Sequence, residues 1–574
     1  MSEDATSATP EPEAGAAPAI EAAVVPSADL APAVVDEAVS VSAQTTPAAE
    51  AGADARAVTR RAGVVGLGTL VSRGFGFLRD VVLASEFDRA ATDAFFVAFT
   101  IPNALRQLFG EGAMSASLVP MLSAHAANGE HQRSLMFFRR ARAVTFLMLL
   151  VVTVLGVVFA PQVALLFVGS DVPPEVMART TMLTRIVFPY IFFMGSAAFG
   201  AAALQTKNRF WVTSFAPLLL NVALILASLA LAPAFAARGI DPALALAWGA
   251  LVGGFLQWSV QWPSLRQIGF WGFAKPTFAD REIKLWLSRM MPVTFGLGVY
   301  YIDLVLSRRL LAGAGTGAQS YFTWAMRVCD LPQGVLVLAL STAALPSLSA
   351  AAASGRNADV RATFLRGMRV CLLVVIPASV LLIVLAHPLV VAFFQRNHFT
   401  AEDAQQTANA LMAQALGMAF VTAVRQMVPV FHAHGDTRTP VWVSAVDLAA
   451  FVGLAVLLRA PFGHVGVGLA VSGSSVVQAL LLGVMLKRHL PGGGIWGAVA
   501  RTVAIDALGA TLAGFGAWGA ARAASHLAGG LLPALAGGLV FVLLYLGYVI
   551  ACAEPETESL IVRLRARVLP AKAA

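Results

Sequence analysis

Long apolar runs recur along almost the whole of this sequence, and they constrain its fold more than any other feature. From about residue 60, apolar stretches of roughly 20 residues follow one another, the length at which an α-helix crosses a hydrocarbon core. Only a helix satisfies its own backbone groups in lipid without a neighbouring segment. Hydrophobic residues make up 58% of the chain and charged residues 13%. The sequence therefore predicts an all-α polytopic membrane protein.

The apolar runs predict fourteen transmembrane helices. The segments after spans two, four, six, eight and twelve are basic, whereas the alternate loops are poor in Lys and Arg. Because cytoplasmic loops collect Lys and Arg, we expect both termini on the cytoplasmic side of the membrane. The predicted spans are 62–86, 91–115, 142–168, 180–204, 211–232, 243–262, 285–311, 318–343, 369–394, 405–431, 440–459, 464–486, 498–521 and 529–552.

Three short motifs repeat at nearly equal offsets, which indicates an internal duplication. Six spans separate the two copies of each motif, so both copies have the same orientation in the membrane. This pattern predicts two parallel six-helix lobes around a central cavity, an architecture of alternating-access transporters, plus two extra C-terminal helices. The repeated motifs are Pro120–Ala124 with Pro346–Ala350, Pro161 with Pro388, and Trp211 with Trp442.

Composition and the repeat together predict four regions. Residues 1–58 form an Ala/Pro-rich acidic tail that we expect to be disordered and cytoplasmic, because it buries too little apolar surface to offset ordering. The N-terminal lobe comprises 59–262 and the C-terminal lobe 263–487. The last two helices and a basic C-terminal tail occupy 488–574.

Arginines at membrane depth are the strongest functional signal. Arg73 lies about eleven residues into the first span and Arg327 about nine into the eighth, so both are near mid-membrane. A cation persists there only beside a watery cavity or a partner charge. The structural alternative pairs Arg73 with Asp80 and Arg327 with Asp330 within single helices. The functional alternative is a cavity for an anion, since guanidinium groups bind phosphate oxygens bidentately.

Several further polar residues lie in the spans. Gly74 and Gly76 separate Arg73 from Arg79, and we expect a bend there to turn both arginines toward the cavity. Arg106 and Glu111 lie near the cytoplasmic boundary of span two. Asp93, at the start of that span, is either an acid stabilised by the helix dipole or a gate residue.

Asp303 and Asp447 are isolated carboxylates in spans seven and eleven. Such groups bind Na⁺, relay protons or form ion pairs, here with Arg308 or Arg425. The His432-Ala-His434-Gly-Asp436 turn lacks a second ligand cluster, so we expect no metal site. The chain has no Walker motif and no nucleophile–base constellation, which disfavours an ATP-driven pump and an enzyme. We therefore expect no cofactor beyond a coupling cation.

Eight sequence blocks resemble the MurJ (MviN) family of lipid II flippases. The first of them, Ser72–Asp80, is highly specific to that family, and the others support it. The resemblance extends over about residues 60–550. The other blocks are Thr92–Phe99, Ile101–Arg106, Glu111–Ala113, Phe188–Tyr190, Asn208–Phe210, Ala216–Asn221 and Asp436–Pro440.

This resemblance implies an inner-membrane protein of the multidrug/oligosaccharidyl-lipid/polysaccharide exporter superfamily. It implies a flippase, not an enzyme, that moves the undecaprenyl-pyrophosphate-linked peptidoglycan precursor to the periplasmic leaflet. The family's cavity arginines correspond to Arg73, Arg79, Arg106 and Arg327, and its functional acid to Asp93. Expected partners are lipid II, membrane lipids and cell-wall synthesis proteins, with no nucleic acid.

The chain departs from the family pattern at a cation-associated site. Some relatives carry a carboxylate at the position of Ser307 and Asn or Asp where this chain has Phe451 and Ala455. Here the carboxylates are Asp303 and Asp447 instead. The competing functions are a cation-coupled exporter of drugs or small solutes, with acids as its key groups, and a membrane enzyme or scaffold acting on lipid-linked sugars.

Overall fold

The computed structural model describes residues 48–106, 113–170, 172–296, 298–334, 347–490 and 494–552. Every regular element within these ranges is helical. The helices are α1 (Ala48–Glu86), α2 (Arg89–Arg106), α3 (Ala113–Ala127), α4 (His131–Val158), α5 (Ala160–Val168), α6 (Pro174–Val187), α7 (Tyr190–Thr206), α8 (Phe210–Leu226), α9 (Ala232–Ala236), α10 (Ala243–Ser259), α11 (Trp262–Gln267), α12 (Arg281–Gly296), α13 (Gly298–Ala312), α14 (Ala318–Pro332), α15 (347–353), α16 (Asn357–Val384), α17 (Ala386–Phe394), α18 (Ala401–Ala415), α19 (Met418–Ala433), α20 (Arg438–Met485), α21 (Ile495–Leu527) and α22 (Leu531–Cys552).

The all-α membrane fold is confirmed. Within the described part of the chain, eight helices are long and apolar enough to cross a membrane, or nine if the bent pair α18–α19 forms one span. This number is lower than the prediction partly because α20 covers two predicted spans and counts once. The predicted total of fourteen spans stays a prediction.

Helix α20 contains a break between two predicted spans. Gly463 has φ 56° and ψ −133°, a conformation outside the helical region that glycine alone adopts easily. The 48-residue element therefore consists of two helical segments joined at Gly463. These segments coincide with the eleventh and twelfth predicted spans.

The start of α1 differs from the predicted end of the acidic tail. Residues 1–47 lie outside the described residues, as does the basic C-terminal tail from residue 553. Helix α1 begins at Ala48, so the predicted boundary at residue 58 falls within a helix. The segment 48–58 is rich in alanine, which has the highest helix propensity of all residues.

The helix pairs that join the two predicted lobes include α1 with α17, α2 with α14, α3 with α12, α4 with α12, and α5 with α13. Around α2 and α14, large side chains of both lobes form one buried core that includes Phe95, Tyr190, Trp324, Phe394 and Phe399. The last two helices pack against each other, and they contact the C-terminal lobe through α16 and α17. This arrangement places α1 and α14, which carry the predicted arginines, where the lobes meet.

Candidate functional site

Asp80 joins arginines from opposite lobes. Arg79, its neighbour in α1, donates to Asp80 Oδ1 from Nε at 3.0 Å and from Nη2 at 2.7 Å. Arg327 of α14 has its Nε 3.3 Å from Asp80 Oδ2. The Asp80 side chain is 0% exposed, whereas the Arg327 side chain is 44% exposed. One buried carboxylate thus contacts two guanidinium groups, of which one remains open to its surroundings.

Asn221 of α8 positions Arg79 from the other side. Its Oδ1 accepts a hydrogen bond from Arg79 Nη1 at 3.1 Å, and its Nδ2 donates to the Ser72 carbonyl at 3.2 Å. This amide therefore ties α8 to both the backbone and a side chain of α1. Asn221 was part of a resembling motif, but sequence reasoning gave it no role, because nothing in the sequence placed α8 beside Arg79.

Arg73 reaches the C-terminal lobe just beyond the end of α14. A Cβ atom added to Gly334 would lie 1.7 Å from Arg73 Nη1, so the guanidinium group rests against the bare glycine backbone. Asp330 lies within electrostatic range of both Arg73 and Arg327. Arg73 of α1 therefore lies near both Gly334 and Asp330 of the C-terminal lobe.

These contacts differ from the ion pairs within single helices that the spacing suggested. Asp80 contacts Arg79 and Arg327, and Asp330 interacts with Arg73 as well as with Arg327. Helix α1 continues through Gly74 and Gly76 without interruption, so both arginines reach the interface from an unbroken helix. Three arginines thus share two carboxylates, which leaves an excess positive charge where the lobes meet. We call this set the arginine cluster; it comprises Arg73, Arg79, Arg327, Asp80 and Asp330.

Asp93 connects α2 to the N-terminus of α14. Its Oδ2 accepts the Gly317 backbone N–H at 2.6 Å, and its Oδ1 accepts the backbone N–H and the hydroxyl of Ser320 at 2.9 and 2.6 Å. Gly317 has φ 89°, which favours glycine. The first N–H groups of a helix lack partners within the helix, and the dipole favours an anion there. Asp93 supplies that anion across the lobe boundary.

Arg89 and Asp403 form a second polar connection beside Asp93. Arg89 Nε lies 3.7 Å from Asp403 Oδ2, and both side chains are buried. Tyr321 of α14 donates its hydroxyl to Asp403 Oδ1 at 2.6 Å. The Arg89 guanidinium group also lies 4.7 Å from the Trp324 ring centroid. Residues from α2, α14 and α18 thus meet at one end of the lobe interface. We call this set the polar gate; it comprises Arg89, Asp93, Ser320, Tyr321, Trp324 and Asp403.

The sequence did not identify Arg89, Ser320, Tyr321 or Asp403 as functional candidates. Arg89 and Asp403 stand at predicted span ends, where charged residues are common. The capping box formed by Thr400 and Asp403 explains the acid locally. Only the approach of α2 to α14 and α18 shows that these residues contact one another.

The predicted cation-coupling residues lie on α13 and α20, which pack against each other. Asp303 and Asp447 are close enough to interact electrostatically, and Ser474 lies beside Asp447. Asp447 Oδ1 is buried and has no hydrogen-bond partner among the described residues. Ser307 Oγ donates to the Leu304 carbonyl within its own helix at 3.1 Å.

Three further predicted residues are an alternative ion-pair partner in α13 and two residues near the end of span two. Arg308, suggested as an ion-pair partner, donates from Nη1 to Gln319 and Thr323 at 3.0 Å each. Arg106 is the last residue of α2, and its side chain lies outside the described residues. Glu111 also lies outside them.

Residues 86–535 match the family model described as lipid II flippase MurJ. The chain belongs to this family. A curated relative from Haemophilus influenzae, named probable lipid II flippase MurJ, is 33% identical over 431 residues, covering 72% of this chain and 83% of the relative. The family members are transporters rather than enzymes, which confirms the expectation that this chain is not an enzyme.

Solved structures agree with the fold. A lipid II flippase MurJ structure in an inward closed conformation matches with a TM-score of 0.70 and 23% identity, over 84% of this chain and 97% of that chain. An inward-facing multidrug resistance MATE transporter of the MOP superfamily matches with a TM-score of 0.59 and 16% identity, over 75% of this chain and 96% of that one. The polytopic helical transporter fold is therefore shared with both.

Proposed function

We propose that this chain moves lipid II, the undecaprenyl-pyrophosphate-linked peptidoglycan precursor, from the cytoplasmic to the periplasmic leaflet of a bacterial inner membrane by alternating access. Arg73, Arg79, Arg106 and Arg327 bind the pyrophosphate of the head group. The observation that supports this proposal most is that arginines of α1 and α14 lie around Asp80 and Asp330. The Arg327 side chain remains 44% exposed. Membership of the lipid II flippase family supports the same substrate.

The charge arrangement suits a diphosphate. Arg79 and Arg327 already share Asp80, so a second anion on this cluster relieves repulsion among the three arginines. Guanidinium groups bind phosphate oxygens bidentately, and these bonds strengthen in a poorly solvated cavity. Because the arginines belong to both lobes, the bound diphosphate draws the lobes together. The polyprenyl tail stays in the lipid while the polar head group is shielded.

The polar gate supports a direction for entry. It lies at the N-terminus of α14, the end of the interface that the loop charges predict to be periplasmic. A head group then enters from the cytoplasmic side, and release requires the polar gate to separate. The membrane potential, positive outside, favours return of the empty cationic carrier by about 2.3 kcal/mol per charge per 100 mV.

A leaflet-sidedness assay in cells depleted of this protein tests the proposal. Arg79→Gln and Arg327→Gln are expected to leave lipid II in the cytoplasmic leaflet and to fail in complementation at wild-type expression. Arg309→Gln removes the same charge from an exposed position outside the cluster and is expected to complement. Full export by both cluster variants contradicts the proposal.

Binding by the purified protein separates this function from a cation-coupled drug exporter. We expect the wild-type chain to bind lipid II and not cationic drugs, because the cluster between the lobes has more arginines than acids. Preferential binding of cationic drugs favours the exporter. Both termini are proposed to be cytoplasmic, and cell-wall synthesis proteins are proposed as partners.

Cation coupling is a second proposal, for which Asp303, Asp447 and Ser307 are the candidate residues. The unpartnered, buried Oδ1 of Asp447 beside Asp303 favours a bound Na⁺ or proton, which would relieve the repulsion between the acids. We expect Na⁺, compared with choline, to raise the thermal midpoint of the wild type but not of Asp447→Asn. An equal response of both proteins excludes Na⁺ at this position.

A further inference from the structure

A cavity lies away from the arginine cluster, in the N-terminal lobe among α4, α7, α10 and α11. Its volume is about 150 Å³, roughly ten times the minimum that holds one water molecule. Arg142 is the charged residue among the described side chains that line it. The walls are mainly aromatic and comprise Phe138, Phe146, Phe199, Trp258, Trp262, Trp271 and Phe273.

Two hydrogen-bond donors at this cavity lack partners. Arg142 is 7% exposed, and its Nη2 atom is buried with no hydrogen-bond acceptor among the described residues. Trp262 Nε1 is likewise buried and unpartnered. Buried donors are nearly always satisfied, since an unmet donor loses its hydration without compensation. The pair therefore indicates an acceptor that belongs to a ligand.

The side chains around this cavity carry positive charge. Arg139 donates from Nε to the Trp271 carbonyl at 2.9 Å, and the Arg266 guanidinium group lies 4.5 Å from the Trp271 ring centroid. In the described part of the chain, no carboxylate lies within 4 Å of the guanidinium nitrogens of Arg139, Arg142 or Arg266. The acids at this end are paired elsewhere: Asp280 with Arg140, and Glu282 with Arg133. Three guanidinium groups are left near one small cavity.

Cation–π contacts alone do not account for this arrangement. The Arg142 guanidinium group lies 5.5 Å from the Phe138 ring centroid and 5.2 Å from that of Phe273. These contacts favour the charge but leave Nη2 of Arg142 and Nε1 of Trp262 without an acceptor. An anionic oxygen that reaches either donor supplies the acceptor that this donor lacks.

The position of the cavity identifies the source of that anion. It lies where α10 and α11 end and the basic segment with Arg266 and Lys275 begins. Tryptophan side chains are enriched at the height of lipid head groups, and three of them line this cavity. Phe273 is 82% exposed, so the cavity is bordered by an apolar surface that suits acyl chains.

We propose that this cavity binds the phosphodiester head group of an anionic membrane phospholipid, with Arg142 and Trp262 as the donors to its phosphate oxygens. Arg139 and Arg266 add positive charge around the head group. The aromatic walls contact the glycerol and the first segments of the acyl chains. The site is separate from the Arg73–Arg79–Arg327 cluster and does not depend on the transported substrate.

Lipid titration of the purified full-length chain, followed by intact-complex mass spectrometry in detergent, tests this site. Phosphatidylglycerol is the probe, phosphatidylcholine is the zwitterionic comparison, and inorganic phosphate is the competitor. Arg142→Gln should weaken phosphatidylglycerol binding at least about thirtyfold, as expected for lost charge-assisted hydrogen bonds. Arg133→Gln, which removes an exposed charge from the same helix, should weaken it at most about fivefold.

Trp262→Phe keeps the ring and removes only the unpartnered N–H, so it tests the site even if Arg142→Gln does not fold. It should weaken phosphatidylglycerol binding while leaving the thermal midpoint of the lipid-free protein unchanged. Wild-type affinity in folded Arg142→Gln or in Trp262→Phe overturns the proposal. Equal binding of phosphatidylcholine, or displacement by inorganic phosphate at the same concentration as the lipid, also overturns it.

Discussion

The polar gate has its charged side chains on α2 and α18 and the arginine cluster has them on α1 and α14, and the surroundings of the two sets differ. At the gate, Asp93 accepts three hydrogen bonds, and Arg89 lies beside buried Asp403. In the cluster, three arginines share two acids, and Arg327 is half exposed. Both acids of the gate accept hydrogen bonds from protein donors, whereas the cluster retains charge for a ligand.

This difference separates two uses of charge at membrane depth. A buried charge that is fully paired holds two lobes in one arrangement, and losing its partner is costly. A charge left half exposed and in excess contributes little to stability, because solvent screens it. We therefore expect gate substitutions to act on stability and conformation, and cluster substitutions to act on transport.

The largest expected effect is that of Arg89→Gln on stability. It removes the cation beside buried Asp403 and the contact with Trp324, and should cost about 3 kcal/mol. Arg327→Gln, the matched loss in the cluster, should change stability by less than about 1 kcal/mol while abolishing transport. Thermal midpoints of the detergent-solubilised proteins measure both. Equal losses in the two variants would break the comparison.

A smaller effect is expected on the balance between gate conformations. In Asp93→Asn, the amide retains one acceptor oxygen and turns its NH₂ group toward the donors of Gly317 or Ser320. A loss of about 2 kcal/mol shifts the equilibrium roughly thirtyfold toward an open gate. Spin labels at Ala90 and Gln405, in a Cys552→Ser background, should then report an additional longer distance. An unchanged distance distribution argues against a gating role for Asp93.

The smallest effect, about 1 kcal/mol, is the difference between two glycine substitutions in the backbone at the gate. Gly317→Ala places a Cβ at positive φ and 2.4 Å from the Tyr321 ring, and should destabilise the protein by about 1–3 kcal/mol. Gly315→Ala is the matched control, because it shares the positive φ but has nothing within 4 Å of its Cβ. The difference between their thermal midpoints isolates the contact with Tyr321. Identical shifts would show that Tyr321 moves aside freely.

Much of the site could be predicted from residue type and depth. An arginine in the middle of an apolar run needs a partner or a cavity wherever it lies in the fold, so Arg73 and Arg327 were recognisable from the sequence. Their partners were not, because spacing within one helix favoured Asp80 for Arg73 and Asp330 for Arg327. The structure brings Asp80 to Arg327, which also interacts with Asp330. Sequence separation carries no information about which helices of different lobes pack together.

The sequence by itself determined that this chain is an all-helical membrane protein with cations at membrane depth, because the bilayer requires long apolar helices and penalises unpartnered charge. Only the tertiary structure decided which charges meet. Asp93 lies at the N-terminus of α14, Arg89 beside Asp403, and Arg142 among the aromatic side chains of one cavity. Each of these contacts joins segments far apart in the chain, and such contacts follow from helix packing rather than from local residue preference.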